Sequence, residues 1–393
     1  MAYVENRTVH DADSHVMELP ETILEYMEAD YINDFRVFAA KRLSAPQAML
    51  DAAARHDDEH FRAGAQDNIM LRKGHEALGA FRSEDRVRCL DYLGFTSQLI
   101  FTSAALSNYE LDESDNVPLA LAAARAHNRM NADFCAVDKR LLATAYVPLV
   151  DMEAAPKIAH EALELGCKAL TIPSRCPPGH SPSHVGLEPL WALAEEAGVP
   201  IVFHVGGEHK MARDYGNNGL PKVQDFHGGD ENFTGLSFMS IPLSVWQSMA
   251  ALIFDGVLDR HPQLKFGAIE LGGAWLPSWL QFMDSAWTAF RKGEQRLQAL
   301  SDKPSEIAKR QFRVTPYCHE PTGWIIENSS EDMILFSSDF PHVEGGRNPL
   351  KRFEENMPNV SAVAERKFFR DNFIDLMGPS LDISLHDHPR VVA

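Results

Sequence analysis

The sequence predicts an α/β fold, a (β/α)8 TIM barrel with a helical insertion after strand 1 and a long loop after strand 5. Eight short apolar runs, each followed by helical sequence, lie near residues 9, 98, 142, 168, 200, 264, 312 and 333. Near-continuous apolar strands that alternate with helices indicate a parallel sheet, and eight such units match the closed barrel. The rival fold is an open doubly wound sheet. No Gly-x-Gly-x-x-Gly follows the first strand, which disfavours a dinucleotide-binding version of it.

Taken in order, the elements support one large domain. After the first strand, residues 16–97 contain helical stretches, for example over 20–29 and 45–62, without strand alternation, so we expect an insertion there. Further helices are predicted over 116–137, 151–165, 187–197, 241–259, 274–292, 321–329, 348–356 and 362–377. A Gly-rich stretch within 206–240 is predicted to be a lid loop. We therefore predict a single barrel domain over 1–377 and a C-terminal tail over 378–393.

Composition excludes several classes of partner. The net charge of −19, from 37 basic and 56 acidic residues, would repel nucleic acid and anionic membranes. No apolar run approaches the roughly 18 residues of a membrane helix, and the N-terminus is too polar for a signal peptide. Five Cys without a Cys-x-x-Cys pair favour reduced thiols in a cytoplasmic protein. A small-molecule substrate remains the expected partner.

Ionisable side chains follow the predicted strands at the end where barrel enzymes carry their chemistry. Each has another explanation when taken alone, since His204 could be a hydrogen-bonded core residue, and Glu270 or Asp339 could cap a turn. Burying several unpaired charges would cost several kcal/mol each, so together they indicate a metal site. The predicted metal ligands are Asp13 and His15 after strand 1, His204 after strand 5, Glu270 after strand 6, and Asp339 and His342 after strand 8. The roles of His319, after strand 7, and of Glu344 are left open.

Five segments of the sequence resemble the amidohydrolase-related family, the clan of the aminocarboxymuconate semialdehyde and resorcylate decarboxylases. They are DADSHVME at strand 1, GCKALTIPS at strand 4, PIVFHVGG at strand 5, GVLDRHPQLKF before strand 6 and FSSDFPH at strand 8. The resemblance implies that Asp13, His15, His204 and Asp339 occupy metal-ligand positions, and that the protein forms a homo- or hetero-oligomer.

The sequence also departs from the family pattern. Glu270, in IELGGAW, stands where the decarboxylases carry a His, and Asp13 stands where better-known members carry His or Glu. Lys168 lies at the start of strand 4, the wrong end for the carboxylated Lys of binuclear hydrolases.

These departures leave three functions open. Three carboxylates and three imidazoles suffice for two metals, and a set without thiolate suits iron or manganese as well as zinc. Relatives that resemble this variant pattern are dinuclear non-haem oxygenases, so the leading expectation is a two-metal Fe/Mn oxygenase that uses O2 to hydroxylate a small organic molecule. The alternative is a Zn- or Mn-dependent decarboxylase or hydrolase acting on a small carboxylic acid, with Glu270 or His342 as catalytic acid or base. The third is a barrel that has lost its chemistry and serves as a structural subunit.

Overall fold

The protein folds around a curled parallel sheet that holds seven strands in chain order. The structure, a computed structural model, describes residues 2–221, 223 and 234–386. Every strand residue is buried, because helices cover the outside of the sheet and apolar side chains fill its inside. The strands are β1 (His10–Val16), β2 (Ser97–Thr102), β3 (Leu141–Tyr146), β4 (Ala169–Thr171), β5 (Ile201–His204), β6 (Phe266–Ile269) and β7 (Phe312–Val314).

The eighth predicted strand is corrected by the structure. The segment 333–340 forms no regular strand, only isolated parallel bridges, Val314↔Ile334 to β7 and Ser14↔Phe340 to β1. It nevertheless bonds to both neighbours, since Leu335 N–H donates to Val314 O at 3.0 Å and His15 N–H donates to Phe340 O at 2.7 Å. The segment therefore joins the last strand to the first and brings the ends of β1 and of this segment side by side.

Helices follow the strands as predicted, with shifted ends. The predicted helix over 241–259 is two helices, and the one over 362–377 is interrupted by a π-helical turn, Lys367–Asp371. Beyond the insertion, the α-helices are α1 (Val117–Cys135), α2 (Ala155–Glu164), α3 (Glu188–Ala197), α4 (Gly235–Phe238), α5 (Ile241–Phe254), α6 (Val257–Arg260), α7 (Leu276–Phe290), α8 (Gln295–Gln298), α9 (Pro304–Gln311), α10 (Thr322–Asn328), α11 (Pro349–Glu355), α12 (Ala362–Arg366) and α13 (Asn372–Met377).

The region between β1 and β2 is helical, as predicted, but in shorter pieces. Its α-helices cover Ile23–Tyr26, Ile32–Phe38, Gln47–Arg55, Glu59–Ala63 and Ser83–Leu93. The last of these was not predicted, because its sequence SEDRVRCLDYL is mostly polar. It buries Arg86 completely, and Arg86 donates to His15 O at 3.0 Å, to Gln98 Oε1 at 3.2 Å and to Ser14 Oγ. A helix of the insertion thus holds the strand that carries Asp13 and His15.

The other side of this network links β1 to the segment after β7. Gln98 donates to Asp11 Oδ2 at 2.9 Å. Asp11 also accepts from the Ser338 backbone N–H at 2.7 Å and from its hydroxyl at 2.6 Å. Burial raises the pKa of Asp11 to about 7, against the lowering effect of these hydrogen bonds. Asp11 therefore fixes the residue that immediately precedes Asp339.

Three further expectations concern the cysteines, membrane spans and the C-terminal tail. Five Cys are free, four of them buried. Among the described residues, the stretch Gly235–Phe254 has the length and mean hydropathy (1.4) of a membrane span, but 39% of it is buried inside the protein, which makes it weak evidence for one. Leu381 and Leu385 in the predicted tail are buried beside the barrel core. Residues 222, 224–233 and 387–393, which belong to the predicted lid loop and tail, lie outside the described residues.

His10, at the start of β1, makes the stability of the protein sensitive to acid. Its ring stacks on Phe373 at 4.9 Å and its Nδ1 lies 2.8 Å from Ser97 Oγ. Burial, followed by the charge of Arg370, lowers the pKa of His10 to about 3. His10 therefore binds fewer protons in the folded protein than in the unfolded chain. The stability associated with its neutral ring is fully present above the unfolded pKa of about 6.5 and is lost progressively as the pH falls below that value.

We expect His10→Phe to reduce that acid sensitivity. Between pH 7 and pH 5 the wild-type histidine costs about 2 kcal/mol of unfolding free energy, at 1.36 kcal/mol per unit of pH below 6.5. Asp11 and Glu18, whose pKa values burial raises, act in the opposite sense in both proteins, so the comparison isolates His10. Urea unfolding at the two pH values measures it, with His160→Phe on the exposed side of α2 as the control. An unchanged pH difference in His10→Phe would contradict the assignment.

Candidate metal centre

All six predicted ligands meet at the carboxyl end of the sheet. Asp13, His15 and His204 are fully buried, whereas the side chains of Glu270, Asp339 and His342 are 12%, 10% and 21% exposed. Their ligand atoms form two groups, within each of which all atoms lie within 4.8 Å of one another. Asp13, His15, His204 and Glu270 make the first group, and His15, Glu270, Asp339 and His342 make the second.

The first group surrounds a single point. Asp13 Oδ1 lies 3.3 Å from His15 Nε2 and 3.3 Å from His204 Nε2. Glu270 Oε2 lies 3.3 Å from His204 Nε2 and 3.9 Å from His15 Nε2. Two imidazoles and two carboxylates around one point match the ligand types and number of a four-coordinate zinc or manganese site.

The backbone fixes which nitrogen of each histidine faces that point. His15 Nδ1 lies 3.1 Å from Thr102 O, and His204 Nδ1 lies 3.0 Å from Val205 O. A carbonyl can only accept, so each Nδ1 carries the hydrogen and each Nε2 presents a lone pair. Ligating histidines are oriented in this way in metalloproteins.

Two carboxylate residues adopt a backbone conformation that L-residues rarely take. Glu270 has φ +56° and Asp339 has φ +50°. The left-handed region costs roughly 1–2 kcal/mol for most residues, so the surrounding structure must hold them there. Asp339 N–H donates to Asp13 O at 2.9 Å, Glu270 N–H donates to Thr315 Oγ1 at 2.9 Å, and the Tyr317 hydroxyl donates to Glu270 O at 2.8 Å. These hydrogen bonds hold both residues in the left-handed conformation, in which their carboxylates lie at the site.

The second group adds a carboxylate–imidazole pair. Asp339 Oδ1 lies 3.0 Å from His342 Nδ1 and 3.5 Å from His15 Nε2. The ring of His342 packs on that of His15, with centroids 3.9 Å apart. His342 is therefore close enough either to bind an ion or to exchange a proton with a molecule bound beside it.

Electrostatics separate the groups of the site. Burial raises the pKa of Asp13, but the two neighbouring imidazoles of His15 and His204 outweigh this, and the pKa lies well below the usual range. Burial and the nearby charge of His342 lower the pKa of His15 to about 4. Burial also opposes the charged form of His342, yet Asp339 more than compensates and raises its pKa to about 9. At neutral pH, without an ion, His15 is neutral and His342 is protonated.

Several buried polar atoms of the site fit a cation. Asp13 Oδ2, His15 Nε2 and Asp339 Oδ1 have no hydrogen-bond partner among the described residues. Buried polar atoms without hydrogen-bond partners are rare and costly, and a cation bound beside them would reduce that cost. A small cavity of about 20 Å³, enough for one water or ion, opens beside them and is lined by Asp13, Glu270, Asp339, Cys318 and Glu344 among others.

His319 and three basic residues, Lys210, Arg72 and Lys73, fall outside the two groups. His319 stacks on Tyr317, with centroids 5.5 Å apart. Lys210 is exposed and paired with Glu110, and Arg72 donates to Phe61 O at 2.6 Å. The ammonium of Lys73 is buried, has no hydrogen-bond partner among the described residues and lies 5.8 Å from the centroid of the Phe340 ring. Sequence reasoning missed the roles of Ser103, whose Oγ lies 2.9 Å from His342 Nε2, and of Glu18, which binds the Ser103 backbone. Ser103 belongs to no motif, and Glu18 ends the DADSHVME segment without following a strand directly.

The chain matches one family model and several solved structures. A family model, Amidohydro_2 (amidohydrolase), matches residues 11–376. No curated protein matches the chain. A solved amidohydrolase from Mycobacterium avium subsp. paratuberculosis superimposes with a TM-score of 0.71 at 20% identity, covering 97% of this chain and 100% of that one.

Two solved decarboxylases are also similar in structure. The first is 5-carboxyvanillate decarboxylase from Novosphingobium aromaticivorans, complexed with manganese and a nitrobenzoic acid, with a TM-score of 0.61 at 18% identity and coverage of 96% and 98%. The second is a dihydroxybenzoic acid decarboxylase from Polaromonas sp., with bound manganese and 2-nitroresorcinol, with a TM-score of 0.56 at 16% identity and coverage of 95% and 97%. At these identities the likeness shows a shared fold.

Proposed function

This chain belongs to the amidohydrolase family, and we propose that it is a manganese- or zinc-dependent carboxy-lyase acting on a small aromatic carboxylic acid. The observation that carries the proposal is the first ligand group, in which Asp13, His15, His204 and Glu270 supply four donors at the carboxyl end of the sheet. The solved decarboxylases with manganese support both the metal and the class of substrate. A hydrolase acting on the same class of acid would use the same residues.

In this proposal the first group holds the ion, and the Asp339–His342 pair transfers the proton. A bound divalent ion supplies Lewis-acid chemistry, since it fixes and polarises an oxygen of the substrate. His342, protonated at neutral pH because of Asp339, donates its proton to the ring carbon that bears the carboxylate. The bond to the carboxylate then breaks and its electron pair remains with the ring carbon. Substrate carboxylate plus one proton gives the arene and CO2.

The charge of the site limits where the carboxylate of the substrate can lie. Asp13, Glu270 and Asp339 would repel an anion in the absence of a cation. A bound divalent ion would offset two of these three negative charges, and protonated His342 provides a further positive charge. The ion therefore determines whether an acidic substrate can enter at all.

A second candidate, the dinuclear Fe/Mn oxygenase expected from the sequence, has one observation in its favour. The second ligand group offers Asp339 and His342 in addition to the first four donors. His15 can bind only one ion, because its Nδ1 faces Thr102 O, but the two oxygens of Glu270 can bridge two. We place this candidate second, because the family and the solved neighbours favour the carboxy-lyase.

Metal counting together with product analysis tests the proposal. We expect protein from cells supplied with manganese, zinc and iron to retain one manganese or zinc per chain and to release CO2 from dihydroxybenzoates or 5-carboxyvanillate. A chelator should abolish the release, and added Mn²⁺ should restore it. Two iron or manganese ions per chain, with O2 uptake dependent on an aromatic substrate and no CO2 release, would reject the carboxy-lyase in favour of the oxygenase.

A further inference from the structure

Ser103, just beyond β2, is hydrogen-bonded to the predicted proton donor. Its Oγ lies 2.9 Å from His342 Nε2, across 239 residues of sequence. The other ring nitrogen, Nδ1, lies 3.0 Å from Asp339 Oδ1. The Ser103 hydroxyl also lies 3.2 Å from Met17 Sδ, a weak acceptor for its hydrogen. His342 is therefore held at both ring nitrogens, by the hydrogen bond to Ser103 and by the ion pair with Asp339.

Glu18, in the first residues after β1, holds the turn that presents Ser103. Its two carboxylate oxygens accept from the Ser103 backbone N–H at 3.1 Å and from the Ala105 N–H at 2.7 Å. Glu18 is only 5% exposed, and burying its carboxyl would cost free energy if these two hydrogen bonds were lost. The contacts of Glu18 thus fix the backbone on both sides of Ala104, and with it the position of the Ser103 hydroxyl.

Ser103, His342 and Asp339 have the order of a Ser–His–Asp nucleophile system, but the surroundings do not fit one. Acyl transfer from a serine needs backbone N–H groups that stabilise the oxyanion. Two N–H groups of this turn, those of Ser103 and Ala105, are bonded to Glu18 and are not free for that purpose. The Ser103 hydroxyl itself donates toward Met17 Sδ rather than to His342, so a nucleophilic role is disfavoured.

We propose that Ser103, held in place by Glu18, is a positioning residue that orients the His342 ring toward Asp339 and the bound substrate. Its importance for turnover rests on the function proposed above. Rotation of the ring about its Cβ–Cγ bond would break the hydrogen bond to Ser103 and the ion pair with Asp339. Without Ser103 only the ion pair with Asp339 remains, and the ring can rotate away from the orientation that transfer requires.

A set of three serine variants tests this assignment. Histidine labelled with ¹⁵N gives ring signals in the metal-free and the Zn²⁺-loaded protein, and His342→Gln identifies the signals of His342. We expect Ser103→Ala to shift or broaden these signals and to lower kcat for the best substrate of the panel by about 10–100-fold, with KM little changed. Ser103→Thr, which keeps the hydroxyl, should restore both readouts. Ser107→Ala is the matched control, because Ser107 Oγ donates only to Ala104 O, at 2.8 Å, in the same turn.

The outcomes separate this inference from the proposed function. His342 signals that are identical in wild type and Ser103→Ala would overturn it, and so would a Ser103→Thr variant as impaired as Ser103→Ala. The melting temperature of each variant shows whether it is folded. If Ser103→Ala is unfolded, the comparison of Ser103→Thr with the wild type decides. If the signals shift and the threonine variant restores them, while His342→Gln leaves CO2 release intact, the positioning stands and the proposed role of His342 as the acid fails.

Discussion

Replacing Asp13 with Asn is expected to abolish metal binding and, with it, turnover. Asp13 Oδ1 lies 3.3 Å from the Nε2 atoms of both His15 and His204, so its carboxylate is at the centre of the first ligand group. The amide keeps the shape of the carboxylate but loses its charge, and it can donate a hydrogen bond to a facing Nε2 lone pair. The variant should therefore fold without an ion, whereas affinity for Mn²⁺ should fall by about 10³-fold or more, because an anionic ligand is lost.

The effect is measured most directly as a shift in stability. A ligand that binds only the folded state stabilises it by RT ln(1 + [L]/Kd), or about 4 kcal/mol at a concentration of 1,000 Kd. We expect Mn²⁺ to raise the melting temperature of the wild type and to leave that of Asp13→Asn unchanged at the same concentration. Asp34→Asn, the same chemical change at an exposed position of the insertion, should behave as wild type. Wild-type Mn²⁺ stabilisation of Asp13→Asn would remove Asp13 from the ligand set.

Much of the sheet could be predicted from the sequence because most of its strands, which are buried on both faces, are largely apolar, with β1 (HDADSHV) as the exception. Seven predicted runs lie within a few residues of β1 to β7. The eighth could not be recognised as irregular, since its apolar run looks like the others. Its regularity is lost where Asp339 enters the left-handed region and where Asp11 binds the Ser338 backbone, contacts that depend on residues more than 300 positions away.

The candidate ligands could be predicted for a related reason. His204 and Glu270 each follow an apolar run, Asp13 lies within β1, and in a parallel sheet the carboxyl ends of all strands meet at one edge. The supporting residues could not be predicted in this way. Arg86 lies in a polar helix of the insertion, and Ser103 becomes meaningful only when the fold brings it to His342. Such contacts are set by tertiary packing, so no local pattern marks them.

The number of ions that the site binds decides between the two candidate functions, and His342 is the residue that distinguishes them. In the carboxy-lyase, His342 transfers a proton and binds no ion. In the oxygenase, it would be a ligand of the second ion with Asp339 and Glu270. The same substitution therefore has a different effect on metal content in the two cases, although it impairs activity in both.

We expect His342→Gln to lower kcat by roughly 10²–10⁴-fold, the usual contribution of a general acid, while one ion per chain remains bound. Glutamine can still bond to Ser103 and Asp339, so the fold should be retained, but it cannot supply a proton at neutral pH. Turnover and metal content are measured on the same sample, with His160→Gln, an exposed histidine on α2, as the control. A fall from two ions to one would make His342 a ligand and favour the oxygenase. Unchanged turnover with unchanged metal content would exclude both roles, and Glu270 would then be the remaining candidate for the acid, to be examined by Glu270→Gln in the same way.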